Sequence, residues 1–209
     1  MPFCEYMFDG SCIVTSVLPP TSTEPYLSDE DLMSLEKFHK DSVRNQSATG
    51  LYLLRKHLSK IHPSSYKEYK IKLGERGKPY IPALPYFHFN ISHASDLVAF
   101  CYDAKPCGID IETTKRFKMG LVQRFFNKNE IKYIESLPES LRDEYFTRFW
   151  TAKEAYVKMS GEGIADSFDD FYFDPDSGKI YFGNNIILAS ISVKKIEFEN
   201  KIYFVSRTD

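Results

Sequence analysis

The sequence has no CxxC pair, no apolar run long enough to cross a membrane and almost no net charge, and each shortage removes a class of function. Its four cysteines, Cys4, Cys12, Cys101 and Cys107, lie among 209 residues at spacings that suit neither a disulfide framework nor a tetrahedral zinc set. They read as reduced thiols of a cytosolic protein. No stretch approaches the ~20 apolar residues of a membrane span, and the N-terminus "MPFCEYMFDG" is acidic where a signal peptide is basic. The expectation is a soluble, cytoplasmic protein with no membrane partner. A formal charge of −2 argues against nucleic acid as a partner, so any anion must be gripped by a local cluster. Two common motifs are missing as well. "GERGKPY" contains Gly77-Lys78, but a P-loop needs a glycine five positions earlier and Ser or Thr afterwards, where this chain has Lys72 and Pro79. No GxSxG elbow occurs, and Ser92 and His93, adjacent in a strand, point to opposite faces and make no ready nucleophile pair.

What is present is enough apolar sequence for a core without disulfide staples, in one larger domain or two small ones. "SCIVTSVL" reads as a strand ended by Pro19-Pro20. Ser28-Asp29-Glu30-Asp31 offers an N-cap and an acidic first turn for a helix through about Lys40. "SATGLYLLRKHLSK" predicts a second helix with Leu51, Leu54 and Leu58 on one stripe, ended by Pro63. Extended pieces follow: "YKIKL", the connector "GKPYIPALP", a hairpin "FHFNISHASDLVAF", and "GIDIE". Residues 121 to 160 read helical, with Phe146, Phe149, Trp150 and Val157 as a core stripe and Gly161 and Gly163 as the stop. Four strand-like runs, "DFYF", "KIYF", "IILASISV" and "KIYFVSR", close the chain. Helix-then-strands thus occurs twice, which predicts an α+β fold of two similar halves, residues 1–105 and 106–209.

In "GIDIE" the period of two puts Ile109 and Ile111 on one face and Asp110 and Glu112 on the other. Two charges about 7 Å apart repel by roughly 2 kcal/mol at an effective dielectric of about 20, so unless both are wet a cation is expected between them. On the pentapeptide alone a wet acidic edge strand is the commoner meaning. In "WTAKEAYVK", Glu154 and Lys158 share a helix face, while Lys153 points toward the edge of the apolar stripe. Such a pair is usually solvent-exposed and worth ~0.3 kcal/mol, but the surrounding aromatics predict a helix buried on more than one side, with its charges in a cleft. In the hairpin, Phe87, Phe89 and Ile91 face one side and His88, Asn90 and Ser92 the other. A hydroxyl and an imidazole at its rim, Ser92 and His93, suit phosphate contact. Lys115, Arg116, Lys118, Arg124, Lys128 and Lys132, with Met119 and Leu121 among them, form a basic run with apolar anchors that would dock an acidic protein.

"GKPYIP", "FNISHAS", "GIDIE", "RFFNKNE" and "WTAKEAYVKMSGEG", in this order and at these separations, resemble the 4'-phosphopantetheinyl transferases of the surfactin-synthetase-activating type. The match covers most of residues 75 to 163. The resemblance implies a cytoplasmic monomer whose halves are related by a pseudo-twofold, with the active site at their interface. It further implies Mg2+-dependent transfer of the phosphopantetheine arm of coenzyme A to a serine of an acyl, peptidyl or aryl carrier protein in nonribosomal peptide or polyketide biosynthesis, releasing adenosine 3',5'-bisphosphate. Asp110, Glu112 and Glu154 match the family's metal ligands, an oxygen set that Mn2+ also accepts. Lys78, Pro79, Ser92, His93 and Lys158 match positions around the nucleotide and phosphates of coenzyme A, and Ser47 and Lys37 are candidates at the adenosine end. There "DLMSLEKFHK" departs from the family by supplying only Lys37, His39 and Lys40. Glu154, directly or through metal-bound water, is the implied base, with Asp110 the competitor; Lys153 accompanies Glu154 in the signature, and Glu130 is a supporting acid. Lys115, Arg116, Met119, Leu121 and Arg124 would form the carrier dock, with residues after Gly161 on its other side. Two other classes compete: a non-catalytic module binding coenzyme A or carrier domains, and a metal-dependent phosphodiesterase, which would ordinarily bring more histidine.

Overall fold

The computed structural model describes residues 3–8, 10–161, 168–183 and 186–209, and the chain divides into two compact units, Met1–Pro106 and Cys107–Asp209. In the first, strands β1 (Cys4–Met7) and β2 (Cys12–Ser16) precede a short helix α1 (Pro20–Thr23), a 3-10 turn (Glu24–Tyr26), α2 (Asp29–Leu35) and the long α3 (Asp41–Ile61). A two-stranded ribbon of β3 (Lys72–Leu73) and β4 (Pro79–Tyr80) leads to the hairpin β5 (His88–Ala94) and β6 (Leu97–Asp103). The main sheet is antiparallel in the order β1-β2-β6-β5. The α3 residues Leu53, Leu54 and Leu58 pack with Phe89, Val98, Phe100 and Ile81 in one apolar cluster. Leu51 is only half-buried, against Leu27, Leu35 and Ala48.

Several expectations for this unit are corrected. The helix after Ser28 has the capping box, formed by Ser28 and Asp31, but ends at Leu35 rather than near Lys40. Its last turn tightens, with Glu36 N donating to Met33 O and Phe38 N to Leu35 O, and the chain reverses into α3, which starts six residues earlier than the leucine stripe suggested. "YKIKL" contributes only Lys72 and Leu73, both exposed, and the connector itself supplies β4. On the polar face of the hairpin Asn90 and Ser92 are buried and His88 is half-buried, and on the opposite face His93 is exposed. Arg55, inside the apolar run of α3, makes a buried bidentate ion pair with Asp31 at 2.7 and 3.0 Å and donates to the carbonyls of Tyr66 and Tyr69.

The second unit begins with β7 (Ile109–Thr113), continues through α4 (Met119–Phe125), α5 (Lys128–Ser136) and α6 (Glu139–Ser160), and closes with β8 (Phe171–Asp174), β9 (Lys179–Phe182), β10 (Ile186–Phe198) and β11 (Lys201–Thr208). The strands form an antiparallel sheet ordered β7-β11-β10-β9-β8. The stretch expected to be helical breaks twice. Asn127 caps α5 and Pro138 precedes α6, so one helical region becomes three helices. Phe146, Phe149 and Val157 are buried and Trp150 packs against them, as the stripe predicts. Gly161 ends α6 in the left-handed region, φ 72°, where a glycine pays no Cβ penalty; Gly163 lies outside the described residues. Each unit is thus one long helix on an antiparallel sheet, an α+β arrangement.

Candidate active site

The carboxylates of "GIDIE" sit on the edge strand of this sheet, but α6 changes their surroundings. Gly108 allows it: a Cβ there would run into the Ala155 carbonyl and lie 2.6 Å from the Met159 amide, so a side chain at 108 is incompatible with this close approach of strand start and helix. Thr151 Oγ1 and Ser206 Oγ, 2.8 Å apart, add a bond between α6 and β11. The wet-strand meaning is therefore overturned for Asp110, whose side chain is 5% exposed. Glu112 stays half-buried, its side chain 25% exposed. The bland reading of Glu154 and Lys158 as a solvent-facing pair fails too. Lys158 Nζ donates to Asp110 Oδ1 at 2.6 Å, and Glu154 is 7% exposed.

Asp110, Glu112 and Glu154 feel one another. Burial, and then the neighbouring Asp110, push the Glu154 carboxyl up to about 7, against Lys158, which pulls it down. Glu112 is also raised, first by burial; its bond from Lys115 Nζ, 2.6 Å away, opposes this. Lys158 bonds to Asp110 and Lys115 to Glu112, and both lysines also pull Glu154 down. Among the described residues no three His, Cys, Asp or Glu side chains are gathered into a ready ligand set. The donors are nonetheless of one kind, carboxylate oxygens close to one another, and that is the chemistry a hard divalent cation accepts.

Lys153 and Glu130 form a separate centre. Lys153 Nζ is wholly buried, 2.7 Å from Glu130 Oε2 and 2.9 Å from the Phe171 carbonyl, and it lies over the rings of Phe126, Phe168 and Phe171. Glu130 also accepts from Asn127 N, as the capping box of α5, and from Phe173 N. Burial drives the carboxyl up and the ammonium down, while their contact opposes both. Lys153 is thus inside the aromatic core rather than at its edge, and both Glu130 oxygens are engaged. The pair ties α5, α6 and β8 together.

Lys115 Nζ is bound to Glu112 and lies 5.1 Å from the Trp150 ring centre, so it serves the carboxylates as much as any dock. Arg116 and Arg124 are exposed, Leu121 is 38% exposed and Met119 is half-buried at the start of α4. The other flank expected for the dock, after Gly161, lies largely outside the described residues. In the first unit Lys37 is exposed, Ser47 is half-buried on α3, and Lys78 and Pro79 are half-buried where the β3–β4 ribbon closes through Gly74 N to Lys78 O, 2.9 Å. Gly108 was missed as a site residue; its signal was the glycine standing directly before "IDIE".

Comparison with known proteins agrees with the motifs. A family model described as "4'-phosphopantetheinyl transferase superfamily" matches residues 106–201, and one described as "4'-phosphopantetheinyl transferase, N-terminal" matches residues 22–105. The chain belongs to the 4'-phosphopantetheinyl transferase superfamily. Among its relatives in that superfamily, the 4'-phosphopantetheinyl transferase Sfp of Bacillus subtilis (strain 168) is 32% identical over 70% of this chain and 65% of its own length. The 4'-phosphopantetheinyl transferase ffp of Bacillus subtilis shows the same identity and coverage. HetI of Nostoc, also named a 4'-phosphopantetheinyl transferase, is 31% identical over 66% of this chain and 61% of its own. The matched region therefore spans just under two-thirds of these relatives. No helix among the described residues is long and apolar enough to cross a membrane.

Proposed function

We propose that the protein transfers the phosphopantetheine arm of coenzyme A to a serine of an acyl, peptidyl or aryl carrier protein. The observation that carries this reading is Glu154, a buried carboxylate held near pH 7 beside Asp110 and Glu112, within a chain whose relatives bear the transferase name. In the reaction the serine oxygen bonds to the phosphorus that carries pantetheine, the bond to the adenosine-bearing phosphate breaks, and adenosine 3',5'-bisphosphate leaves. The serine proton must go to a base, and a carboxylate within hydrogen-bond reach can accept it. Glu154 is the assigned base and Asp110, engaged by Lys158, the competitor. Asp110, Glu112 and Glu154 would hold Mg2+, or Mn2+ with the same oxygens; when bound, such an ion supplies positive charge to the pyrophosphate. Lys158 and Lys115 would then be released from their present carboxylates, Lys158 toward phosphate.

Lys37, Ser47, Lys78, Pro79, Ser92 and His93 are the proposed coenzyme A contacts of the first unit, and Arg116, Met119, Leu121 and Arg124 those for the carrier. A cytoplasmic monomer is the proposed working state. The test incubates the protein with coenzyme A, Mg2+ and several apo carrier proteins and weighs the carriers. The expected result is a gain of one phosphopantetheine on at least one carrier, lost in Glu154→Gln. No gain on any carrier, with coenzyme A bound in calorimetry, would instead establish a binding module; coenzyme A hydrolysis without a carrier would establish a phosphodiesterase.

A further inference from the structure

The first unit contains a cavity that the transferase reading does not use. It has a volume of about 210 Å3 and lies between α3 and the β1–β2 hairpin. One wall follows from strand register. Cys4 pairs with Thr15 and Tyr6 with Ile13, so these four side chains share one face of the hairpin, and all four line the cavity. The other wall is helical: Tyr52, Lys56 and Lys60 recur every four residues of α3, with Leu53 and His57 on the adjoining stripe. Leu18 and Ser22 complete the lining. Ser47, the α3 residue assigned to coenzyme A, precedes Lys56 by nine residues, about two and a half turns, and so occupies the opposite face of the helix.

The lining is one-signed. It includes two lysines and no aspartate or glutamate, and among the described residues neither Lys56 nor Lys60 is in an ion pair. Lys56 Nζ instead donates to Tyr52 Oη at 2.8 Å, a neutral partner that fixes the ammonium without cancelling it. His57 is packed on Tyr102, ring centres 3.7 Å apart, and burial lowers its imidazole, so the lysines carry the charge. Ile13, Leu18, Leu53 and the two tyrosine rings supply apolar walls. An engineered apolar cavity of about 150 Å3 takes benzene; this one has room for a ring and a charged head.

We propose that this cavity binds a small organic anion, a carboxylate or phosphate monoester on a six-to-eight-carbon apolar body, with Lys56 and Lys60 at the head group. The inference does not rest on the transferase reading, and its test uses no coenzyme A. Cys4 lines the cavity and is exposed, while Cys12, Cys101 and Cys107 are buried, so the thiol is a built-in reporter. The rate of Cys4 alkylation by iodoacetamide is followed by mass spectrometry on the full chain with increasing benzoate, phenyl phosphate or benzyl alcohol. Expected is saturable protection by benzoate or phenyl phosphate at millimolar concentration, whichever binds naming the head group. In Lys56→Met/Lys60→Met the protecting concentration, taken relative to the variant's own unprotected rate, should rise about tenfold, ~1.4 kcal/mol, with circular dichroism unchanged. No protection by either anion, equal protection by benzyl alcohol, or protection indifferent to the lysines would overturn the proposal.

Discussion

Replacing Glu154 by glutamine should make the metal-free protein more stable at pH 8, although it removes the group assigned as base. Glu154 is buried beside a second acid. Its carboxyl is raised from an ordinary 4.5 to about 7 by burial and by Asp110, which at about 1.4 kcal/mol per pH unit is about 3 kcal/mol. Between those two values the folded state holds a proton that the unfolded state has lost, so stability falls as pH rises from 4.5 to about 7, and above pH 7 the whole penalty is present. Glutamine keeps the shape and carries no charge, so it escapes the penalty. With local relaxation, the gain at pH 8 is expected to be about 2 kcal/mol, a shift of about 1 M in the urea midpoint for a typical slope. Trp150, the single tryptophan of the chain, packs against the same helix core and reports unfolding by fluorescence. The experiment is run in chelator at pH 8 and pH 4, then at pH 8 with added Mg2+. At pH 4 both side chains are neutral and the difference should vanish. Added Mg2+ should raise the midpoint of the wild type and not of the variant, because binding to the folded state alone adds stability by mass action. If Glu154→Gln is no more stable than wild type in chelator at pH 8, burial and Asp110 do not penalise the Glu154 carboxylate as described.

Gly108→Ala should unfold more easily by at least about 2 kcal/mol, the cost of overpacking, since its Cβ collides with the α6 backbone; an unchanged urea midpoint would disprove the close approach. Lys153→Met leaves Glu130 buried without its cation and should cost about 3–5 kcal/mol, whereas adding Glu130→Gln should restore part of that loss. A double variant as unstable as the sum of the two singles would show that the pair is not coupled. Arg116→Glu/Arg124→Glu should raise KM for an acidic carrier about tenfold with KM for coenzyme A unchanged, and flatten the salt dependence. Equal effects on both KM values would move these arginines out of the proposed dock.

The sequence made one side of the site legible and hid the other for identifiable reasons. The period of two in "GIDIE" shows that Asp110 and Glu112 share a face, and the aromatic stripe of residues 146–157 shows that α6 is buried; both are local repeats along the chain. β1 was missed because Cys4, Glu5 and Tyr6 are all exposed, leaving no alternation to read. Lys153 and Glu130 are 23 residues apart, and nothing in either neighbourhood says that the lysine turns inward among three rings. Only the packed structure pairs them, because a buried ammonium is tolerated when a carboxylate and a backbone carbonyl are already in place. The same logic explains why the pentapeptide was misread alone. Alternation decides which side chains share a face, but the dielectric of that face belongs to whatever covers it. Here the cover is α6, and the missing Cβ of Gly108 lets the helix come close enough to bury Asp110 and half-bury Glu112. That burial, more than the presence of three acids, gives Glu154 a proton affinity near neutrality. A variant that moves α6 away should therefore lower the Glu154 titration toward that of an ordinary glutamate, with every carboxylate still in the chain.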